Sequence, residues 1–412
     1  MKERIRMAVV GLGGRGKFLL EELMTVDGVD IAALCDVYED RIQEGVGIVR
    51  NAGRPDPAGF TDYRELLEKT PLDAIIVPAA WTAHYPIVIA AMEAGVPVGM
   101  EVGGATSMDE CFELVRVSER TGVPCMMLEN CCYGREEMAM LHMIKQGIFG
   151  ELVHCQCGYM HDLRDEICLG RENRHYRLDN YLARNGDNYP THGVGPVAKY
   201  LDINRGNRFL SLVSMGTKSR GLKAWVRDNL PEEHPLQGRE FNQADLVTTL
   251  IKCANGETVT VILDTCLPRP YSRAGKVQGT MGIWVEDGRL IHLQGRTQPH
   301  CWENFDPILE EYDHPLWREY SRQGIHAAGH GGMDFLCLSA FVESVRKGVR
   351  PPIDVYDAAT WMAVTVLSEE SLALGSAPVA FPDFTHGDWI HRQPDPISKY
   401  ALDRVHEELF DV

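Results

Sequence analysis

No apolar run in the 412-residue sequence approaches membrane-spanning length, so no membrane-embedded helix is expected. Cations are scarce: 41 Lys and Arg stand against 59 Asp and Glu, for a formal net charge of −18. Nucleic-acid backbones are gripped by clustered Lys and Arg that release counterions, and so acidic a chain lacks the general surface for that. Low-complexity tracts and internal repeats are missing as well, so disorder is not expected outside the ends. Ligand spacing for a metal is also lacking. His154, Cys155 and Cys157 come nearest, but strand alternation sets His154 on one face and the two cysteines on the other, so no metal site is expected. The 12 cysteines do not read as a disulfide framework in a chain of this length. Most, among them Cys35, Cys125, Cys253 and Cys337, sit in apolar periodic segments and read as reduced core thiols. Met1 to Met7 runs into a strand-like segment with no apolar signal region, and the expectation is a cytoplasmic protein.

What is there is enough for two cores, since the length exceeds what one core usually sustains. Residues 1–150 read as a nucleotide-binding Rossmann domain. Ile5 to Val10 is a short apolar run, followed by Gly11-Leu12-Gly13-Gly14-Arg15-Gly16 and then the helical pattern Phe18, Leu19, Leu20, Leu23. In such a strand, turn and helix the first glycine allows the tight turn, the second lets backbone approach a pyrophosphate, and the third permits close helix packing. The helix N-terminus then faces the anion. A second apolar strand, Val29 to Cys35, ends at Asp36. A carboxylate there accepts hydrogen bonds from a ribose diol and repels a 2′-phosphate, which favours NAD over NADP.

The alternation continues through a helix at Tyr63 to Lys69, a strand at Asp73 to Val77, a helix at Tyr85 to Glu93 and a strand at Val96 to Met100. Ser107-x-x-Glu110 then reads as a capping box, Pro124 to Leu128 as a strand and Arg135 to Gln146 as a helix, the pattern of a doubly wound parallel sheet. Ligands bind this fold beyond the carboxyl ends of its strands. Those ends are Pro78 to His84, Glu101-Val102-Gly103-Gly104 and Glu129-Asn130. Trp81 and His84 read either as nucleotide contacts or as a surface aromatic and a helix-capping His.

From Val153 the texture changes to strands: Val153 to Met160, Arg208 to Thr217, Asp245 to Cys253, Thr258 to Cys266, Lys276 to Glu286 and Arg289 to Gln294. Asn255-Gly256 and Asp287-Gly288 are hairpin turns. Residues 151–350 are thus expected to form an open-faced, mostly antiparallel α+β sheet domain that holds the substrate, and residues 351–412 a helix and tail that pack back. An open sheet face is also a surface through which copies can pair, so a homo-oligomer is one expectation. Between the first two strands lies a stretch rich in Arg, Asn, Tyr and His that ends in Tyr189-Pro190-Thr191-His192-Gly193. His192 opens a helix and serves there either as a base near working pH or as a cap. Gly329-His330-Gly331-Gly332-Met333-Asp334 brings backbone close to a ligand, or simply starts a helix with Asp334 at its positive end.

Together these residues resemble the large family of glucose-fructose oxidoreductases and inositol dehydrogenases, over essentially the whole chain. In that family a Glu-Lys-Pro triplet follows the fourth strand, and its Lys works with an Asp-x-x-x-His pair. Here the triplet reads Glu101-Val102-Gly103, and Asn188 stands at the Asp position before His192. Met127-Leu128-Glu129-Asn130 with Tyr133, the phrase Cys157-Gly158-Tyr159-Met160-His161-Asp162-Leu163-Arg164, and the two motifs ending in Gly193 and Asp334 are similar to a narrower branch. That branch is glycoside hydrolase family 109, NAD-dependent enzymes typified by α-N-acetylgalactosaminidases.

The resemblance implies an active-site set of Glu129, Tyr159, Arg177, Tyr189, His192 and Tyr271 around the sugar. From the glycine turn, the end of the second strand, the loops beyond the strand ends and the Gly329–Asp334 turn, the expected NAD contacts are Gly11, Leu12, Gly13, Gly14, Arg15, Gly16, Asp36, Trp81, His84, Glu101, Asn130 and His330. The implied reaction is a retaining hydrolysis that oxidises the sugar at C3, eliminates across C1 and C2, adds water and reduces C3 again, with NAD recycled. His192 would serve O3, Tyr159 or Tyr271 would serve C2 and the leaving group, Glu129 would be a positioning acceptor, and Arg177 would orient or stabilise the enolate. A dehydrogenase releasing a 3-keto sugar, a redox glycosidase of other hexosides and a non-catalytic NAD-bound sensor stay open.

Overall fold

The computed structural model describes residues 3–103, 105–322 and 330–410. The chain divides into two compact units with interleaved segments: Met1–Met138, Asp313–Thr360 and Gln393–Val412 form the first, Ala139–Tyr312 and Trp361–Arg392 the second.

The first unit is built on a parallel sheet. Strands β1 (Ile5–Val10), β2 (Val29–Cys35), β3 (Ala58–Phe60), β4 (Ala74–Val77), β5 (Val98–Met100) and β6 (Cys125–Met127) lie in the order β3-β2-β1-β4-β5-β6. Every pairing is parallel. Met7, Ala8, Val9, Ile75 and Ile76 are fully enclosed, as near-continuous apolar strands must be when helices cover both faces. Sequence order reverses at β1, which has β2 on one side and β4 on the other. The crevice beyond the carboxyl ends of β1 and β4 is therefore the switch point at which this architecture takes ligands. Ser107 caps its helix by accepting from the Glu110 N–H, while the Glu110 carboxylate reaches back to the Thr106 N–H.

The second unit carries a sheet of nine strands: β7 (Leu152–Met160), β8 (Phe209–Gly216), β9 (Leu246–Cys253), β10 (Thr258–Asp264), β11 (Lys276–Gly279), β12 (Gly282–Val285), β13 (Leu290–Leu293), β14 (Glu303–Asn304) and β15 (Val379–Ala380). Their order is β14-β13-β12-β11-β7-β10-β9-β8-β15. All pairs are antiparallel except β7 with β10. Along β7, Cys155 and Cys157 are buried, while His154 lies on the other face and meets the Thr258 hydroxyl at 2.9 Å.

One expected strand is corrected. Lys276 to Glu286 is not continuous but folds into the β11–β12 hairpin, with Lys276 opposite Val285. The turn at Thr280-Met281 is flanked by Gly279 and Gly282, and a Cβ on Gly279 would strike the Phe149 carbonyl oxygen at 2.2 Å. Among the described residues, no helix is long and apolar enough to cross a membrane.

Candidate functional site

β1 hands the chain to a turn that only glycine can make. Gly11 sits at φ +104°, and a Cβ on it would lie 2.6 Å from Ala79 Cα; a Cβ on Gly16 would lie 1.9 Å from the Gly11 carbonyl oxygen. Strand, turn and helix Gly14–Thr25 are thereby pressed together against the loop after β4. Gly13 and Gly14 behave oppositely. Nothing lies within 4 Å of a Cβ built on Gly14, and only Arg41 Nη1, at 3.7 Å, approaches one on Gly13. The free N–H groups of the helix's first turn open onto that space, an arrangement suited to a pyrophosphate. The turn therefore fits NAD on its own geometry.

Asp36 ends β2 beside this turn, 7% exposed. Its carboxylate accepts from the Leu12 N–H at 2.6 Å and the Tyr38 N–H at 3.0 Å, and Arg41 Nη1 stands 3.9 Å away. It both holds the turn and places negative charge where a ribose diol is expected. Asp36→Ala should weaken NAD binding by roughly tenfold or more, the worth of one charged hydrogen-bond set. The neighbouring Arg41, relieved of its carboxylate, should at the same time narrow the preference for NAD over NADP. Titration of both nucleotides into wild type and variant checks this; an unchanged ratio of the two affinities would refute the role.

A network built around Asp334 braces the same region of the first unit. Arg15 donates from Nε to Glu101 at 2.7 Å and from Nη2 to Asp334 at 2.6 Å. Asn130 Nδ2 donates to Asp334 at 3.0 Å, and His330 Nδ1 lies 2.8 Å from its other oxygen. Burial would raise the Asp334 pKa, but His330 and Arg15 outweigh it and hold the carboxyl down at about 2. Four of the residues implied for NAD, Arg15, Glu101, Asn130 and His330, thus converge through a fifth that sequence reasoning saw only as a helix-start carboxylate. Trp81 and His84 are buried beneath the loop after β5. His84 Nδ1 meets the Gly103 carbonyl at 3.3 Å, and a Cβ on Gly103 would press on the Trp81 ring. Both shape that loop from below. Glu129 is fully enclosed and caps the short helix Asn130–Tyr133 by accepting from the Cys131 N–H at 3.1 Å. Gly104 and Gly329 lie outside the described residues.

The second unit gathers the remaining implied residues at the carboxyl end of β7. Tyr159 is the centre. Its ring lies 4.5 Å from Tyr189, 5.5 Å from His192 and 6.1 Å from Tyr271, centroid to centroid. Local sequence explains each placement. Gly193 lets helix Thr191–Tyr200 sit directly on β7, since a Cβ there would lie 2.6 Å from the Gly158 nitrogen; His192 is carried in beside Tyr159 by this approach. Met160 and Ser272 exchange backbone hydrogen bonds at 3.0 and 2.9 Å, which brings the β10–β11 connection and Tyr271 to the end of β7. Tyr189 OH lies 3.5 Å from His192 Nε2.

Arg177 opens helix Arg177–Ala183, with its guanidinium carbon 5.1 Å from the Tyr189 ring and its Nε 3.0 Å from Glu166. Burial works against its charge, but Tyr176, Tyr159, Glu166 and Tyr189 more than offset this, and its pKa stands well above the usual value. Asn188 is buried and donates to Gln243, so it braces the segment leading to Tyr189. Two residues here were missed by sequence reasoning as members of the cluster. Glu166 pairs with Arg177, and His161 Nδ1 lies 3.1 Å from the Tyr159 hydroxyl. The signal for His161 was its place two residues beyond Tyr159, on the same side of an extended chain.

Comparison with known proteins assigns the family. A model of the glycosyl hydrolase 109 C-terminal domain matches residues 133–391, and a model of the oxidoreductase-family NAD-binding Rossmann fold matches residues 5–129. The chain is 43% identical to an α-N-acetylgalactosaminidase of Tannerella forsythia, over 95% of this chain and 88% of that one. It is 42% identical to a glycosyl hydrolase family 109 protein of Parabacteroides distasonis, over 95% and 89%. Its fold is shared with an NAD-binding oxidoreductase of Klebsiella pneumoniae at a TM-score of 0.71, with 16% identity over 92% of this chain and 100% of that one. With an NAD-binding Rossmann domain at its N-terminus and a phenol, imidazole and guanidinium cluster in its second unit, the chain belongs to glycoside hydrolase family 109.

Proposed function

We propose that this hydrolase cleaves α-linked N-acetylgalactosaminides by elimination and readdition. The observation that carries the reading is the grouping of Tyr159, Tyr189, His192, Tyr271 and Arg177 in one unit. Most glycosidases flank the bond with an acid–base pair of carboxylates. The acid–base groups here are phenols and an imidazole, suited to moving protons at hydroxyls and at a carbon next to a carbonyl. The sugar and anomer are proposed from the similarity to the α-N-acetylgalactosaminidase of Tannerella forsythia.

NAD held at the Gly11–Gly16 turn would supply reversible oxidation of the sugar at C3. His192 takes the O3 proton as C3 becomes a carbonyl, which makes the hydrogen on C2 acidic. Tyr159 removes that proton from C2, and Tyr271 protonates the departing oxygen at C1. Arg177 steadies the negative charge that builds on the enolate oxygen. Water then adds at C1 and gives its proton to the Tyr271 phenolate; Tyr159 returns a proton to C2 and, as C3 is reduced again, His192 returns one to O3, so the sum is hydrolysis. Glu129 is proposed as the acceptor that positions a sugar hydroxyl, and Tyr189 as a wall of the sugar pocket.

An assay of aryl glycosides, α and β, acetamido and hydroxyl, with cofactor absorbance followed throughout, tests the reading. Release of the aryl group from the α-acetamido substrate with no net build-up of NADH is the expected result. NADH accumulating in step with product would make the protein a dehydrogenase, and cofactor binding without turnover a sensor.

A further inference from the structure

Tyr159 is 7% exposed and ringed by Tyr189, His192 and Tyr271, so little of it meets bulk water. Its hydroxyl lies 3.1 Å from His161 Nδ1, and His161 is partly exposed at the end of β7. We infer that His161 is the proton outlet of Tyr159: it exchanges the phenol's proton with solvent and so sets how freely the hydrogen on the sugar's C2 trades with water. The inference rests on the proposed role of Tyr159 at C2.

The transfer balances. The phenol O–H bond breaks as an N–H bond forms at Nδ1, the Nε2 proton leaves to water, and tautomeric return of the ring readies it for the reverse passage. A neutral imidazole is needed. Burial pulls the His161 pKa below its usual 6.5; the carboxylates of Glu166, Asp162 and Asp165 push it up, and Arg177 pushes it down. Tyr271 faces the same ring edge-on, at 5.2 Å between centroids. The net shift downward leaves the ring uncharged at neutral pH, when it can both accept and donate. His161 acts through Tyr159 and is assigned no contact with the sugar.

The test is hydrolysis in heavy water, stopped at partial conversion, with deuterium at C2 of the released sugar scored per turnover. Wild type should incorporate deuterium extensively. His161→Phe, which keeps a ring of similar shape against Tyr271, should lose incorporation severalfold, because Tyr159 returns the proton it removed. His161→Gln, which restores a polar partner but no relay, should stay low. Equal incorporation in wild type and both variants overturns the outlet, as does absent incorporation in wild type. A substrate deuterated at C2 separates this from failure of the underlying reading: a slowed wild-type rate keeps C2 deprotonation, and an unaffected rate removes it. Independently of turnover, the ring nitrogen resonances of His161 in the NAD-loaded protein should move on Tyr159→Phe. Resonances that do not respond would likewise overturn the pairing.

Discussion

His192→Ala should lower turnover about a hundredfold or more, the usual worth of a general base, while leaving NAD affinity unchanged. The imidazole stands at the second residue of helix Thr191–Tyr200, with edge contacts to Tyr159 and Tyr189. Alanine suits a helix, and the close approach that seats this helix belongs to Gly193, so the substitution removes the base without unseating its support. Steady-state kinetics beside a nucleotide titration and a thermal melt check the outcome. Turnover near that of wild type would remove His192 from the chemistry, whatever the stability change.

Gly16→Ala should abolish measurable NAD binding and destabilise the first unit. The added carbon would sit 1.9 Å from the Gly11 oxygen, 2.8 Å from its carbonyl carbon and 3.2 Å from Pro78 Cγ. The two closest atoms are backbone, so relief means opening the turn, at a cost of about 3 kcal/mol or more, in the range of severe overpacking. Gly14→Ala is the contrast, since open space surrounds its Cβ direction. The fold should tolerate it or gain up to about 1 kcal/mol from helix propensity. NAD binding should still fall, because the methyl intrudes where the pyrophosphate is expected. Chemical denaturation and nucleotide titration of both variants measure the two effects separately. A Gly16→Ala protein that binds NAD normally would contradict the packing described for the turn.

Much of this was legible because local signals agree with the global fold. The apolar runs at Ile5–Val10 and Val29–Cys35, the glycine turn between strand and helix, and Asp36 at the strand end follow from patterning alone. What escaped depended on distance or on silent turns. Alternating apolar residues run through Lys276 to Glu286, so the hairpin showed only as paired glycines around Thr280-Met281. Asp334 draws Arg15 from 319 residues away and Asn130 from 204, and no local pattern announces such a hub. Likewise the meeting of Tyr271 with Tyr159 depends on the Met160–Ser272 bridge between strands far apart in sequence. Residue types for the second unit's cluster were suggested by family resemblance. Its geometry needed the fold.

The proposed cycle oxidises the sugar at C3 and reduces it again at the same carbon within each turnover. Hydrolysis of an α-N-acetylgalactosaminide deuterated at C3 tests it most directly. Turnover slower than for the unlabelled substrate is expected, with deuterium retained at C3 of the released sugar. An unchanged rate would contradict oxidation as a contributing step, and label lost to solvent would contradict return of the same hydrogen to C3.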